Sequence, residues 1–254
     1  MTVQGRLIRR VAREGGRVRS DEFRMPDALV AIVLGSFFIG LGCFAVARRS
    51  GAGDAVKIGQ VLPSSLVFVI LAAGVCVFLK FRGLRLIPLL GLDRVSLWRV
   101  AGWAVGLLLV AFVFAGIANR ITFTVMSGRI FEQSLLNLFR DVARQNDGRA
   151  LAQLFLAGVI LAPLSEELLF RGFFYAVGKR YLGPLASGFA SALLFAAFHL
   201  SVSAFAGLFV LALCLTLAYE RTGSLFVPIG IHALFNFTSL CVVYGQGRGL
   251  LPSP

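Results

Sequence analysis

Three stretches of this chain, Ala28–Ala47, Val61–Leu79 and Val100–Ala118, carry no charged residue at all. Each is about as long as the ~20 residues a helix needs to cross the hydrocarbon of a bilayer. A backbone placed in lipid must satisfy its own hydrogen bonds, so such runs fold as helices. A fourth apolar run starts at Ala150 and meets Glu166. The stretch Tyr181–Tyr219 spans 39 residues with one histidine and no formal charge, enough for two helices and a tight turn. A last run covers Thr222–Gly247. The expectation is an all-α, polytopic transmembrane helix bundle with about seven spans. Composition agrees, since only 15% of residues are charged against about 25% in soluble domains.

The chain divides into a basic N-terminal arm (1–26), three simple spans with a connector (27–149), and a chemically loaded core (150–247). The arm holds seven arginines against three acids and lacks the apolar segment of a cleavable signal. It reads as a solvated topology determinant that also meets anionic lipid. In the connector, Phe131, Leu135, Leu138, Phe139 and Val142 recur at helical spacing, with Glu132, Arg140, Asp141 and Arg144 between them. That pattern predicts an amphipathic helix at the membrane interface or folded against the bundle.

Orientation follows from the basic residues, because cytoplasmic loops keep the excess of Lys and Arg. With the N-terminus inside, the cytoplasmic side takes 15 of them and the opposite side 9. The expected location is the inner (plasma) membrane, and 22 Arg against 3 Lys point to a GC-rich bacterial genome. The net charge of +13 is spread over many loops, so nucleic acid is not an expected partner. The four cysteines, Cys43, Cys76, Cys214 and Cys241, all fall in predicted spans and read as unpaired, buried packing residues.

Strongly polar residues inside the last four spans are few: Glu166, Glu167, Arg171, His199, His232 and Asn236. Each charge near the bilayer centre costs about 2.5–3.5 kcal/mol on insertion scales, so convergence in one bundle interior is the economical arrangement. Glu167 and Arg171, four residues apart, share a helix face and can pair. Glu166 is rotated about 100° from that face, which leaves its carboxylate available. Pro163 removes a backbone donor and is expected to kink this helix and free a carbonyl. His232 and Asn236 also project from one face, and Phe195 lies one turn before His199. Taken alone, the cluster could equally pin helices together.

Glu166-Glu167-xxx-Arg171, Phe195-xxx-His199 and His232-xxx-Asn236, in this order, resemble the CPBP family of CAAX proteases and bacteriocin-processing (Abi) membrane proteins. The stretch Glu220–Leu225, "ERTGSL", is similar to that family as well, and the likeness covers roughly Ala150–Leu240. The resemblance implies an intramembrane endopeptidase acting on a membrane-associated protein or peptide. Carried over, Glu166 would be the general base and His199 would help to hold or deprotonate the water. His232 and Asn236 would donate to the oxyanion, and Glu167 with Arg171 would support the site. Chemistry agrees: amide hydrolysis needs an activated water, an acid/base and oxyanion donors, all strengthened by a low dielectric. The resemblance favours a metal-free account with no cofactor. Two histidines and a glutamate also compose a zinc set, although no HExxH is present. A non-proteolytic immunity or scaffold protein and a transporter are the competing classes. Oligomeric state is not readable from the sequence.

Overall fold

A computed structural model describes residues 17–49, 57–94, 97–125 and 134–252. Every regular element among them is helical. In chain order they are α1 (Met25–Arg49), α2 (Ile58–Phe81), the short α3 (Leu86–Leu90), α4 (Leu97–Val125) and α5 (Ser134–Gln145). There follow α6 (Gly148–Leu182), α7 (Pro184–Phe198), α8 (Val202–Thr222) and α9 (Phe226–Gly247). Among the described residues six helices are long and apolar enough to cross a membrane, in α1, α2, α4, α6, α8 and α9. The seventh apolar helix, α7, has 15 residues, about 22 Å at 1.5 Å per residue, short of the ~30 Å core. The chain is a multi-pass membrane protein.

The outer faces of α1 and α4 are apolar. Leu29, Ile32, Val33 and Phe37 on α1, and Val105, Leu109 and Val113 on α4, stand exposed, as lipid-facing side chains should. The interior is built on aromatic rings. Phe38 of α1 packs on Phe68, Phe170, Phe174 and Phe198, with ring centroids 4.9–6.4 Å apart. This cluster draws α1 and α2 onto the middle of α6 and the end of α7. On the other side Phe112 of α4 stacks on Phe235 of α9 at 4.4 Å.

Turns are set by a few residues. Asp147 caps α6 by accepting from the Arg149 and Ala150 amides. Gly183 and Pro184 separate α6 from α7. Leu200, at φ 50°, ends α7 directly after His199, and Ser201 then caps α8 by accepting from the Ala204 amide. A left-handed non-glycine residue is strained, and this one stands beside a histidine of the polar cluster.

Three details refine the expectations. The described part of the arm is folded onto the bundle rather than solvated: Val18 and Phe23 are buried in the main core. The Arg17 amide donates to Glu220 O, Lys179 Nζ to Val18 O and Arg94 Nη1 to Arg17 O. These two apolar residues are buried while Arg19 between them is exposed. The amphipathic helix forms as α5. It turns Phe139 and Val142 into protein, against Ala150, Leu154, Leu240 and Val243, so its apolar face is folded against the bundle. Phe131 and Glu132 lie outside the described residues. Finally, all four cysteines are free, but none is buried, and Cys43 and Cys241 are exposed on their helices.

Candidate active site

The site is organised by α6. Its hydrogen-bond ladder widens twice to π-helix, at Leu156–Leu161 and at Leu168–Tyr175. The α-helical turn between, Ala162–Glu167, carries both glutamates. Such π segments are rare and favour functional sites, because they leave carbonyls without their usual partners. Serine hydroxyls take up several of these: Ser165 Oγ donates to Leu161 O at 2.7 Å, Ser191 Oγ to Phe170 O at 3.1 Å and Ser187 Oγ to Tyr175 O at 2.7 Å.

One carbonyl is orphaned by proline. The Ala162 amide donates five residues back, to Ala157 O. In that register residue 163 would serve Gly158, but Pro163 has no N–H. Asn236 Nδ2 of α9 donates to Gly158 O instead, at 2.8 Å.

Arg171 is fully buried. Its Nη1 donates to Glu167 Oε1 at 2.8 Å and its Nη2 to Ala212 O of α8 at 3.0 Å. The guanidinium carbon lies 4.6 Å from the centre of the Phe195 ring, within cation–π range. The pair expected from the four-residue spacing therefore forms. Glu167 does more than pair, however. The same Oε1 stands 2.8 Å from His232 Nδ1, so one oxygen joins α6 to α9.

His232 is buried between this carboxylate and Phe195, whose ring centre lies 5.7 Å away, edge to face. The centre of the His199 ring lies 4.7 Å from the centre of the same Phe195 ring, tilted against it. Its Nδ1 is 2.8 Å from Phe195 O. A carbonyl can only accept, so this nitrogen bears the proton. A carboxylate likewise calls for a proton on His232 Nδ1. In neutral rings both Nε2 atoms then present lone pairs.

Those two atoms face Glu166. Its Oε2 is 4.0 Å from His199 Nε2 and 3.9 Å from His232 Nε2. It is buried and has no hydrogen-bond partner in the protein. Side-chain exposure falls from 25% at His199 through 15% at Glu166 to 3% at His232, so the cluster opens on the His199 side. Three helices thus bring Glu166, Glu167, Arg171, His199 and His232 into contact, while Asn236 stands one turn further along α9, on Gly158. Among the described residues no group of three or more His, Cys, Asp or Glu could hold a metal ion.

Two relationships escaped the sequence reading, the Glu167–His232 bond and the Asn236–Gly158 bond. The first joins residues 65 apart and left no local trace. The second had a signal, a proline five positions after a glycine, legible only once the π register is known.

Every one of these polar groups falls within residues 148–238, the stretch that matches the family model described as Type II CAAX prenyl endopeptidase Rce1-like. No curated protein and no solved structure matches the chain. Residues 148–238 are thus similar to the Rce1-like proteins of the CPBP/CAAX protease family, the family that the three motifs resemble.

Proposed function

We propose that this protein is an intramembrane endopeptidase that hydrolyses a peptide bond of a membrane-associated protein or peptide, with Glu166 activating the attacking water. The observation that carries the reading is the position of Glu166 Oε2, unpartnered and 3.9 and 4.0 Å from two imidazole Nε2 atoms. Those separations are too long for direct hydrogen bonds and fit one water bridging all three groups.

Counting protons assigns the roles. With both rings neutral, Glu166 Oε2, His199 Nε2 and His232 Nε2 are all acceptors, and a water brings only two donors. One further proton completes the set. His232 is its natural holder, because the Glu167 carboxylate lies behind the ring at 2.8 Å and offers a negative partner for the doubly protonated form. His199 is backed only by a carbonyl and stays an acceptor. The water then gives a proton to Glu166, with His199 holding its second hydrogen, while its oxygen attacks the peptide carbonyl carbon. His232 Nε2–H, with an amide hydrogen of Asn236, donates to the oxyanion. Glu166 returns the proton to the departing nitrogen as the C–N bond breaks. No step calls on a cofactor. Glu167 and Arg171 hold this arrangement from behind.

The test compares peptide ends in cells carrying the wild type and Glu166→Ala. A membrane-protein fragment made only by the wild type supports the reading. Cleavage by purified Glu166→Gln at the wild-type rate would remove Glu166 as the base, whereas identical peptide ends in the two strains would leave the scaffold class standing.

A further inference from the structure

We infer that Pro163 and Gly158 are positioning residues of the reaction, acting through Asn236: the carbonyl that the proline leaves open fixes how the Asn236 carboxamide is aimed. This rests on the hydrolytic reading of the site. An asparagine amide rotates over a broad, roughly two-fold well and presents either its oxygen or its NH2 to a given direction. For an oxyanion donor, half of those orientations are wrong. A fixed acceptor removes the ambiguity, since only the NH2 can face a carbonyl. Gly158 O is that acceptor, 2.8 Å from Nδ2. One amide hydrogen is thereby spent, and the second is left at a defined angle.

The acceptor is available because of the register. In the π segment Leu156–Leu161 the ladder runs five residues back, as the Ala162–Ala157 bond shows. The next rung, from residue 163 to Gly158, is missing because position 163 is proline. A Cβ at Gly158 would meet Leu240 Cδ1 at 3.4 Å, an ordinary contact, so this position serves the device through its carbonyl. Glycine, proline and asparagine therefore form one device. A plain staple between α6 and α9 would use the same bond, but it predicts a different outcome when the proline is replaced.

Pro163→Ala restores a backbone donor to the helix beside Gly158 and competes with Asn236 for its carbonyl. The helix gains a hydrogen bond, yet the amide is released. The chain has four asparagines, Asn119, Asn137, Asn146 and Asn236, so asparagine labelled with 15N in the full-length protein in detergent gives four side-chain signals. Asn236→Ala identifies the relevant one. In the wild type its protected proton should exchange with D2O at least ~10-fold more slowly than in Pro163→Ala. On the substrate found by the peptide-end comparison, Pro163→Ala and Asn236→Ala should each lower kcat by about 10- to 100-fold with KM unchanged. The double variant should be no slower than Asn236→Ala alone, because both changes break one device. Pro163→Ser carries the same restored donor and replaces the alanine variant if that does not accumulate. Unchanged exchange at Asn236, wild-type kcat in the proline variant, or losses that multiply in the double variant would each overturn the inference. Glu166→Gln run in parallel separates the two proposals: if it cleaves normally the assignment of Glu166 as the base fails, while the exchange measurement still decides whether Pro163 governs the Asn236 amide.

Discussion

Glu167 Oε1 stands 2.8 Å from His232 Nδ1, so the second glutamate of the pair orients a histidine carried by another helix. The same oxygen receives Arg171, and all three side chains are buried. The two neighbouring glutamates therefore carry opposite burdens. One holds the site together, and the other faces it without a protein partner.

Glu166→Gln should keep the fold, because Oε2 bonds to no protein atom. Its cleavage rate should fall by about 10²- to 10⁴-fold, the usual contribution of a general base. Glu167→Gln and Arg171→Ala should instead cost about 3–5 kcal/mol of stability, since each strands a buried charge. For a chain of this size that is a drop of roughly 10 °C in the unfolding midpoint. Thermal unfolding in detergent beside a cleavage assay checks both. Equal loss of stability in the Glu166 and Glu167 variants would contradict the division of roles.

Activity should survive extended dialysis against a chelator, because the proposed water is held by Glu166, His199 and His232 alone. Loss of cleavage that zinc restores would move the enzyme to the metalloprotease class, where metal affinity also falls with pH as the ligands protonate. Metal analysis of the dialysed, active protein completes the measurement.

The cluster opens on the His199 side, and α7 at 15 residues is too short to cross the core. Non-helical backbone at membrane depth is tolerated only where protein or water covers it. The turn His199–Ser203 should therefore be wet. On the N-terminus-inside orientation expected from the basic residues, it would face the outside. Cysteine placed at Ser203, in a background lacking the four native cysteines, should react with an impermeant thiol reagent added to intact cells. Labelling only in inverted vesicles would reverse the orientation, which a reporter fused to the N-terminal arm would confirm independently.

Gly91 and Gly223 meet face to face at the end of the bundle where the arm docks. A Cβ on Gly91 would lie 1.7 Å from Gly223 O, and one on Gly223 would lie 2.8 Å from Arg17 Cβ. Both glycines also have left-handed φ, 64° and 69°. Gly91→Ala should therefore sharply reduce folded yield, whereas Gly102→Ala on α4, with nothing within 4 Å, should leave it unchanged. Phe23→Ala, which empties a buried site in the same junction, should cost about 3–5 kcal/mol. Yield and unfolding midpoint of the three variants form the comparison. A stable Gly91→Ala protein would mean that this junction is looser than described.

Much of this protein is legible along the chain. Uncharged runs announce the helices, since in lipid nothing else satisfies the backbone. The six polar residues of the core stand out because each is expensive where it lies, and the Glu167–Arg171 pair follows from helical spacing alone. The three motifs suffice to suggest the family. What the sequence does not contain is the phase of α6. Two π segments, at Leu156–Leu161 and Leu168–Tyr175, rotate its faces away from a uniform 3.6-residue period, so helical-wheel reasoning cannot tell which glutamate meets which histidine. Only packing against α9 decides that Glu167 takes His232 while Glu166 is left open. The arm shows the same limit. Val18 and Phe23 sit among arginines in a segment whose composition reads as solvated. They are buried because the ends of α2, α6 and α8 converge to leave a site of their size, and a cavity formed by distant elements has no signature in local sequence.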